Sequence, residues 1–349
     1  MYKPRFTITP EINNCIAKVE AIRQKVKDSK ILPEQEVILR FRATIEAVHS
    51  STTIEGNALN KNQVIKALAG KMNAWERAVI EVQNYKKALD WLAKRAKKKK
   101  EISLQDILKL HSFVADKLLP SHKVGKIRSG PIYIVDIINK KEIVRYIGPT
   151  AIRVADLLND LLVWIKKAKK ELHPILIAGI LHYEFVSIHP FSDGNGRMTR
   201  LLVKLFLDLQ SYDFRQALVL DKYYLENRLA YYDSLNRAKE YEKQRKTDLT
   251  SWLNFFVKGF YEVTKDLEKE ISVVSVSDDI EVMRLSNEEI QLLDFVKQFG
   301  QISISDVLPI LQLSERTAQR RLKTLVNKGL LVKHGRGKNI FYKLKNSRV

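Results

Sequence analysis

The run His189-Pro190-Phe191-Ser192-Asp193-Gly194-Asn195-Gly196-Arg197-Met198-Thr199-Arg200 gathers a base, a carboxylate, a glycine-framed turn and two guanidiniums within twelve residues. Such groups can hold a polyphosphate and move a proton beside it. Gly194 and Gly196 can adopt backbone angles closed to other residues, so the main chain can approach an anion closely. A helix starting at this turn leaves its first N–H groups without helical partners, pointing at phosphate oxygens. Arg197 and Arg200 lie about one turn apart and share a face of that helix. Asp193 can hold a magnesium ion bridged to the same phosphates. A neutral His189 imidazole, just before the turn, can take a proton from an incoming hydroxyl.

The elements on either side are helical. From His173 to Ile188, Ile175, Ala178, His182, Phe185 and Val186 recur at three- and four-residue spacing, with Ile177 and Leu181 beside them, as in a buried helix. After the turn, Leu201, Leu202, Leu205, Phe206 and Leu209 keep the same period. A helix rather than a strand precedes the glycines, which excludes a dinucleotide-binding turn.

The pattern HxFx(D/E)GNGRxxR, filled here at every position, resembles that of the Fic family of protein nucleotidyltransferases. The resemblance implies transfer of a nucleoside monophosphate, usually AMP from ATP, onto a Ser, Thr or Tyr hydroxyl of a protein, with pyrophosphate leaving. It makes His189 the general base, with Asp193 as magnesium ligand. Gly194, Asn195 and Gly196 would bind α- and β-phosphate oxygens, and Arg197 and Arg200 the β- and γ-phosphates. Phe191 would anchor the loop from below. These roles agree with phosphoryl chemistry, which is mostly positioning and charge stabilisation.

Further upstream lies Ser51-Thr52-Thr53-Ile54-Glu55-Gly56-Asn57. Pro33 is placed to start a helix, and Ile38, Phe41, Ile45 and Val48 form a stripe through it. Ser51 and Glu55 share one face, and Gly56 can cap the C-terminus. This stretch resembles the inhibitory (S/T)xxxE(G/N) motif of Fic proteins that carry their own N-terminal inhibitory helix. In that arrangement Glu55 pairs with Arg200, removes the partner of the γ-phosphate and leaves ATP badly aligned, so the resting enzyme is largely off.

Between the motifs, the β-branched and aromatic runs Ile132 to Ile138 and Glu142 to Ile147 flank Asn139-Lys140-Lys141 and read as one hairpin. Gly125-Lys126-Ile127-Arg128 before it resembles the G-x-(F/Y)-R element preceding the Fic flap, which clamps the target segment by strand pairing. Ile127 departs from that pattern. The resemblance places Ile134, Val135, Asp136 and Ile137 along the nucleotide. Tyr231-Tyr232-Asp233-Ser234-Leu235 resembles the YYxxL element beside the adenine, with Tyr231 as the base contact.

A chain of 349 residues, 45% hydrophobic, holds about two domains. Cys15 is the single cysteine, so neither an intramolecular disulfide nor a cysteine-based metal cluster can form. The charged N-terminus lacks an apolar run of signal length, and no segment reaches the apolar length that spans a bilayer. The expectation is a cytoplasmic protein without a membrane partner. The net charge is +21. The runs Lys94 to Lys100 and Lys166 to Lys170 read as cationic helix ends and solvated corners. The third concentration is different: Ser314 to Val349 carries eleven lysines and arginines against one acid, Glu315.

That tail is organised as a unit of its own. Ser272 to Glu281 reads as a linker or interdomain strand. Ser286 with Glu289 forms a capping box for a helix closed by Gly300, and a short helix follows around Ser305 to Leu311. Ser314 then caps a third helix ending at Lys328-Gly329. Its apolar stripe of Ala318, Leu322, Leu325 and Val326 leaves Arg316, Gln319, Arg320 and Lys323 on the exposed face. Leu330 to Lys333 and Ile340 to Leu344 flank a basic hairpin tip with Arg336 and Lys338. Three helices and a basic wing resemble the winged helix-turn-helix family. Such a unit reads DNA through its third helix with the wing on phosphates, or docks protein.

The fold expected is mainly α: a Fic-type helical bundle with a small β-hairpin flap, then a winged helix domain. The divisions are 1–100 as an N-terminal helical region with its inhibitory helix at about 33–56, 101–271 as catalytic core, 272–285 as linker and 286–349 as the C-terminal domain. The leading function is a Glu55-inhibited adenylyltransferase using ATP and magnesium, and the resemblance is compatible with a homodimer. Two alternatives stay open: a DNA-binding regulator whose nucleotide site only senses ATP, and an enzyme removing AMP with Glu55 positioning water. An intact His189 speaks against a mere sensor, which needs phosphate ligands but no base.

Overall fold

Helices carry most of the chain in the computed structural model, which describes residues 2–138, 141–236, 238–275, 285–311 and 314–345. In order they are α1 (Pro10–Asp28), α2 (Pro33–Ile54), α3 (Lys61–Leu68), α4 (Arg77–Ala96) and α5 (Leu104–Val114). The hairpin β1 (Tyr133–Ile138) and β2 (Lys141–Ile147) follows, then α6 (Val154–Ala168), α7 (Pro174–Ile188) and α8 (Asn195–Leu209). Next come the short α9 (Leu220–Glu226), α10 (Arg228–Leu235) and α11 (Tyr241–Gln244), and the long α12 (Thr250–Val274). The tail holds α13 (Asn287–Phe299), α14 (Ile304–Leu311), α15 (Glu315–Asn327), β3 (Leu331–His334) and β4 (Phe341–Leu344). The mainly helical architecture with a small hairpin is the one expected.

The chain divides into two compact units, Met1–Lys27 with Glu46–Glu268, and Asp28–Ile45 with Lys269–Val349. In the first, α7 is the central rod. Pro174 opens it, and His173 caps it by accepting from the Ile175 amide through Nδ1. Its apolar residues run all round rather than along one stripe, so it must be enclosed on every side, and α6 and α8 pack on it. Gly179 lets α12 close in: a Cβ there would lie 2.8 Å from Leu253 Cδ2, while Trp252 donates its indole N–H to the Gly179 carbonyl at 2.8 Å. α4 packs against α5 and α8.

β1 and β2 pair antiparallel, Tyr133 opposite Ile147 and Ile138 opposite Lys141, with a bulge between Ile134 and Val135. The Ile147 amide donates to Lys239 O at 2.8 Å, which ties the base of the hairpin down. Asn139 and Lys140 lie outside the described residues.

In the second unit, Leu292, Leu293, Val296, Ile302, Val307, Ala318, Leu322, Leu325, Leu331 and Tyr342 form one core, which Val37 of α2 joins. The Ser286–Glu289 capping box and the left-handed Gly300 are both present. β3 and β4 pair antiparallel, and Tyr342 exchanges two backbone hydrogen bonds with Ile302.

Three local expectations are corrected. α12 continues to Val274, so Ser272 is helical; residues 276–284 lie outside the described residues. Ser314 sits at the N-cap of α15 without a capping hydrogen bond, because its hydroxyl pairs with that of Thr317 instead. Arg95, assigned to a solvated cationic corner, is buried: it donates to both Asp106 oxygens at 2.6 and 2.8 Å and to two backbone carbonyls. A guanidinium's planar fork suits such a site, where an ammonium would leave acceptors unmet.

Candidate active site

His189 ends α7 in a left-handed conformation, φ 50° and ψ 61°, which turns its ring out of the helix line. Arg128 over-determines that strained position. Its Nε donates to His189 O at 2.9 Å, its backbone N–H to Pro190 O at 3.0 Å, and its other nitrogens to the carbonyls of Gly130 and Pro149. His189 Nδ1 lies 3.0 Å from the Val186 carbonyl. A carbonyl only accepts, so Nδ1 carries the proton and Nε2 is the basic nitrogen. Burial pushes the imidazole below its ordinary pKa, against the pull of the Val186 carbonyl and of Glu55, so the ring is neutral at neutral pH.

Between His189 and α8 the loop is braced from inside. The Asn195 side chain spans Phe191, accepting from its N–H at 2.9 Å and donating to its carbonyl at 2.8 Å. The Asn195 side chain is thus engaged by the loop itself, and only its main-chain N–H is left for a ligand. Phe191 is fully buried, a contribution of about 1.5–3 kcal/mol. Its ring stacks on His111 with centroids 3.8 Å apart. His111 Nδ1 accepts from the Gly125 amide at 3.0 Å, so its proton is on Nε2, which reaches the Asp193 carbonyl at 3.3 Å. Burial pushes His111 down to about 4, with the Asp193 carbonyl pulling the other way. This neutral histidine therefore joins the entry to the hairpin, at Gly125, to the loop between His189 and α8.

α8 begins directly after Gly194, whose φ of 77° suits a residue without a Cβ, and no side chain caps the helix. Its first-turn amides are therefore available to an anion. Arg197 and Arg200 are both buried. Arg200 donates Nε to Ser51 Oγ at 2.7 Å, and Nη2 to Ser51 O at 2.8 Å and to Glu55 Oε1 at 2.9 Å. Asp221 Oδ1 lies 3.2 Å from Nε. Burial disfavours the charge on Arg200, but Glu55, Tyr231 and Asp221 outweigh it and push its pKa up overall. Gly56, φ 95°, ends α2 in the conformation expected of its C-terminal residue. A Cβ on Gly196 would clash with the Glu55 carboxylate, so that carboxylate lies against the start of α8.

The remaining expected residues lie on other elements. Ile134 and Val135 are exposed on β1. Asp136 and Ile137 continue the strand opposite Ile143 and Glu142, and their side chains lie outside the described residues. Tyr231 is buried, its hydroxyl 2.9 Å from His182 Nε2 and its ring stacked on Tyr224. Its neighbour Tyr232 is the more exposed ring. In the second unit, Arg316, Gln319, Arg320, Lys323 and Arg336 are all exposed, and the Lys338 side chain lies outside the described residues. His111, Asp221 and the full role of Arg128 escaped the sequence reading. His111 falls on the apolar face of α5 with Ile107, Leu110 and Val114, where a core histidine looks the same.

Among known proteins, the family model described as Fic/DOC family matches residues 101–207, and that of the Fic/DOC family N-terminal region matches residues 21–91. The chain is 29% identical over 203 residues to a protein adenylyltransferase Fic of Aedes aegypti, covering 57% of this chain and 38% of that protein. It is 30% identical over 197 residues to protein adenylyltransferase fic-1 of Caenorhabditis elegans, covering 55% and 36%. The chain thus spans about two fifths of the length of the curated relatives it matches. A Fic family protein from Desulfovibrio desulfuricans matches in structure over 100% of both chains, with TM-score 0.64 and 26% identity. The two matched regions hold the two motifs, one ending just past the phosphate loop and the other enclosing Glu55, and on this ground the chain belongs to the Fic/DOC family.

Proposed function

We propose that this chain is a self-inhibited protein adenylyltransferase, moving AMP from ATP to a Ser, Thr or Tyr hydroxyl of a target protein or of itself. The observation that carries the reading is a neutral His189, its Nδ1 tied to Val186 and its Nε2 basic, beside an uncapped helix start and two buried arginines. The relatives named above, protein adenylyltransferases, point the same way.

In this mechanism the first-turn amides of α8 hold α- and β-phosphate oxygens, and Arg197 and Arg200 take the β- and γ-phosphates. The target hydroxyl attacks the α-phosphorus while His189 Nε2 accepts its proton. The bond from the α-phosphorus to the bridging oxygen of the β-phosphate breaks, and pyrophosphate leaves with its charge held by the arginines. Asp193 suits a magnesium ion: its carboxylate is partly exposed at the loop mouth and already faces a cation, Arg77. No group of three or more acidic, His or Cys side chains that could hold a metal occurs among the described residues, so the triphosphate and water would supply the other oxygens. Bound there, the ion would neutralise phosphate charge. The exposed strand β1 offers a backbone edge for the target segment.

Glu55 is the brake, because its carboxylate holds the guanidinium that the γ-phosphate needs. A second reading is favoured by the same residue: a carboxylate this near the loop can also orient water, which would make the reaction removal of AMP. The second unit is proposed as a winged helix that carries the enzyme to DNA or to a protein target. The test is to incubate the purified chain with each α-labelled nucleoside triphosphate and magnesium and look for label on itself and on lysate proteins. Label from ATP that requires His189 supports transfer. Release of AMP from pre-modified protein without forward labelling supports the second reading.

A further inference from the structure

Four charged side chains outside the inhibitory contact form a closed ring at the mouth of the loop. Arg77 and Glu81 stand one turn apart at the start of α4; Asp193 and Arg197 stand one turn apart at the loop and α8. Arg77 Nη2 meets Asp193 Oδ2 at 3.1 Å, and Arg77 Nε meets Glu81 Oε1 at 3.3 Å. Arg197 Nη1 lies 3.7 Å from Glu81 Oε1, and Arg197 Nη2 lies 3.5 Å from Asp193 Oδ1. Each acid faces two arginines. Glu81 is held in place by Asn57, whose amide donates to Glu81 Oε2 at 2.9 Å.

We propose that Arg77 is an internal cation that competes with the divalent ion for Asp193, so that α4 sets the metal dependence of the site. The inference rests on the reading of Asp193 as metal ligand. One Asp193 oxygen, Oδ1, is taken by the loop, accepting from the Gly194 amide at 2.5 Å. Oδ2 is the oxygen left for a ligand, and Arg77 occupies it. The two arginines of the ring differ in freedom: the Arg197 side chain is 4% exposed and the Arg77 side chain 62%. Arg197 is built in, whereas Arg77 can leave into water at little cost. An ion arriving at Oδ2 therefore exchanges with Arg77, and the measured metal affinity is the intrinsic one reduced by the strength of this exposed pair. Such pairs hold weakly, so the reduction is up to about fivefold.

The probe is Mn2+ with ADP, titrated on the full-length chain while free Mn2+ is followed by electron paramagnetic resonance. ADP lacks the γ-phosphate, and because the Glu55 carboxylate also lies against Gly196 the same titrations are repeated in the Glu55→Gly background, where Glu55 does not confound the reading. Arg77→Ala and Arg77→Gln are expected to tighten protein-dependent Mn2+ binding by about two- to fivefold, and Arg77→Lys to stay near wild type. Asp193→Asn is expected to abolish that binding with or without Arg77. Unchanged or weaker Mn2+ binding in Arg77→Ala and Arg77→Gln, each shown folded by its melting curve, overturns the competition. Unchanged binding in Asp193→Asn overturns the metal assignment itself, and the two failures are distinct.

Discussion

Glu55→Gly is the perturbation whose size can be worked from contacts. Glu55 gives Arg200 one charge-assisted hydrogen bond of 2.9 Å, and its carboxylate also lies against Gly196, where a phosphate would sit. Breaking a hydrogen bond to a charged group costs about 1.5–3 kcal/mol. Arg200 is not orphaned by the change, because Ser51 still accepts twice and Asp221 stays 3.2 Å away. The protein should therefore remain folded, and the whole effect should appear in nucleotide alignment. If Glu55 is the proposed brake, ATP must displace it in wild type and need not in the variant, which corresponds to about a ten- to 150-fold gain in the aligned state. Transfer of label from α-labelled ATP to the chain itself, at ATP well below saturation, should rise by that order. ADP affinity should change less, since ADP has no γ-phosphate and meets only the part of the Glu55 carboxylate that lies against Gly196. Adding Arg200→Ala should cancel the gain, and Glu55→Gln, which keeps an acceptor but loses the charge, should fall between. A folded Glu55→Gly protein with no more transfer than wild type would refute the brake and favour the water-orienting role.

Other outcomes follow from the same geometry. His189→Ala should abolish transfer while ATP affinity stays near wild type, because every phosphate ligand remains; label transfer at the wild-type rate would remove His189 as base. Since burial lowers the His189 pKa, the acid limb of the rate profile in the active Glu55→Gly protein should lie below about 6.5, the ordinary imidazole value; a limb above that would contradict a neutral, desolvated base. Glu184, fully buried beside Tyr241 and Arg245, has its carboxyl pushed by burial up to about 7. An acid whose folded pKa is raised holds its proton longer than in the unfolded chain, so its contribution is greatest near pH 4 and declines until pH passes about 7. Melting temperatures of Glu184→Gln should lose that decline between pH 5 and 8, and parallel curves would show the group does not titrate there. If the second unit reads DNA, the full chain should bind duplex with strong salt dependence. Arg316→Ala with Arg320→Ala should then weaken a preferred site more than random duplex, and absence of binding at low salt would favour protein docking.

What the sequence exposed and what it hid divide by distance along the chain. The phosphate loop is contiguous, so base, carboxylate, glycines and arginines could be read together. Ser51 and Glu55 are one turn apart, which made their shared face legible, although pairing with Arg200 across 145 residues rested on resemblance alone. Within α2 the apolar stripe was only partly right: Ile45 and Val48 are buried, but Val37 and Leu39 are buried where Ile38 and Phe41 were expected. The cause is that residues 28–45 belong to the second unit, whose core takes Val37, so one period cannot describe the whole helix. His111, Asp221 and Arg77 were opaque for a related reason, as was the role of Arg128 beyond its place in the Gly125–Arg128 stretch. Their partners are backbone carbonyls, amides or charges brought in by packing, and no local pattern marks an arginine that will hold a histidine's carbonyl 61 residues away.

The charged side chains around the loop already pair with one another before any ligand arrives. Arg77, Arg197 and Arg200 face Asp193, Glu55, Glu81 and Asp221, three cations against four carboxylates. Their formal sum is negative, and a triphosphate carries further negative charge into a space where burial makes repulsion stronger than in water. Simple addition of ATP is therefore opposed. On the proposed mechanism entry would become favourable when Glu55 leaves Arg200, which removes one carboxylate and frees one cation, and when Asp193 exchanges Arg77 for a divalent ion, which would replace one positive charge by two. Both exchanges act on the same few ångströms of backbone between Asp193 and Arg200, so each should strengthen the other. In the Mn2+ titration, ATP in place of ADP should bind metal more tightly in Glu55→Gly than in wild type, and the difference should shrink when Arg200 is replaced by alanine. Equal metal affinity for wild type and Glu55→Gly in the presence of ATP would show that the two exchanges are independent.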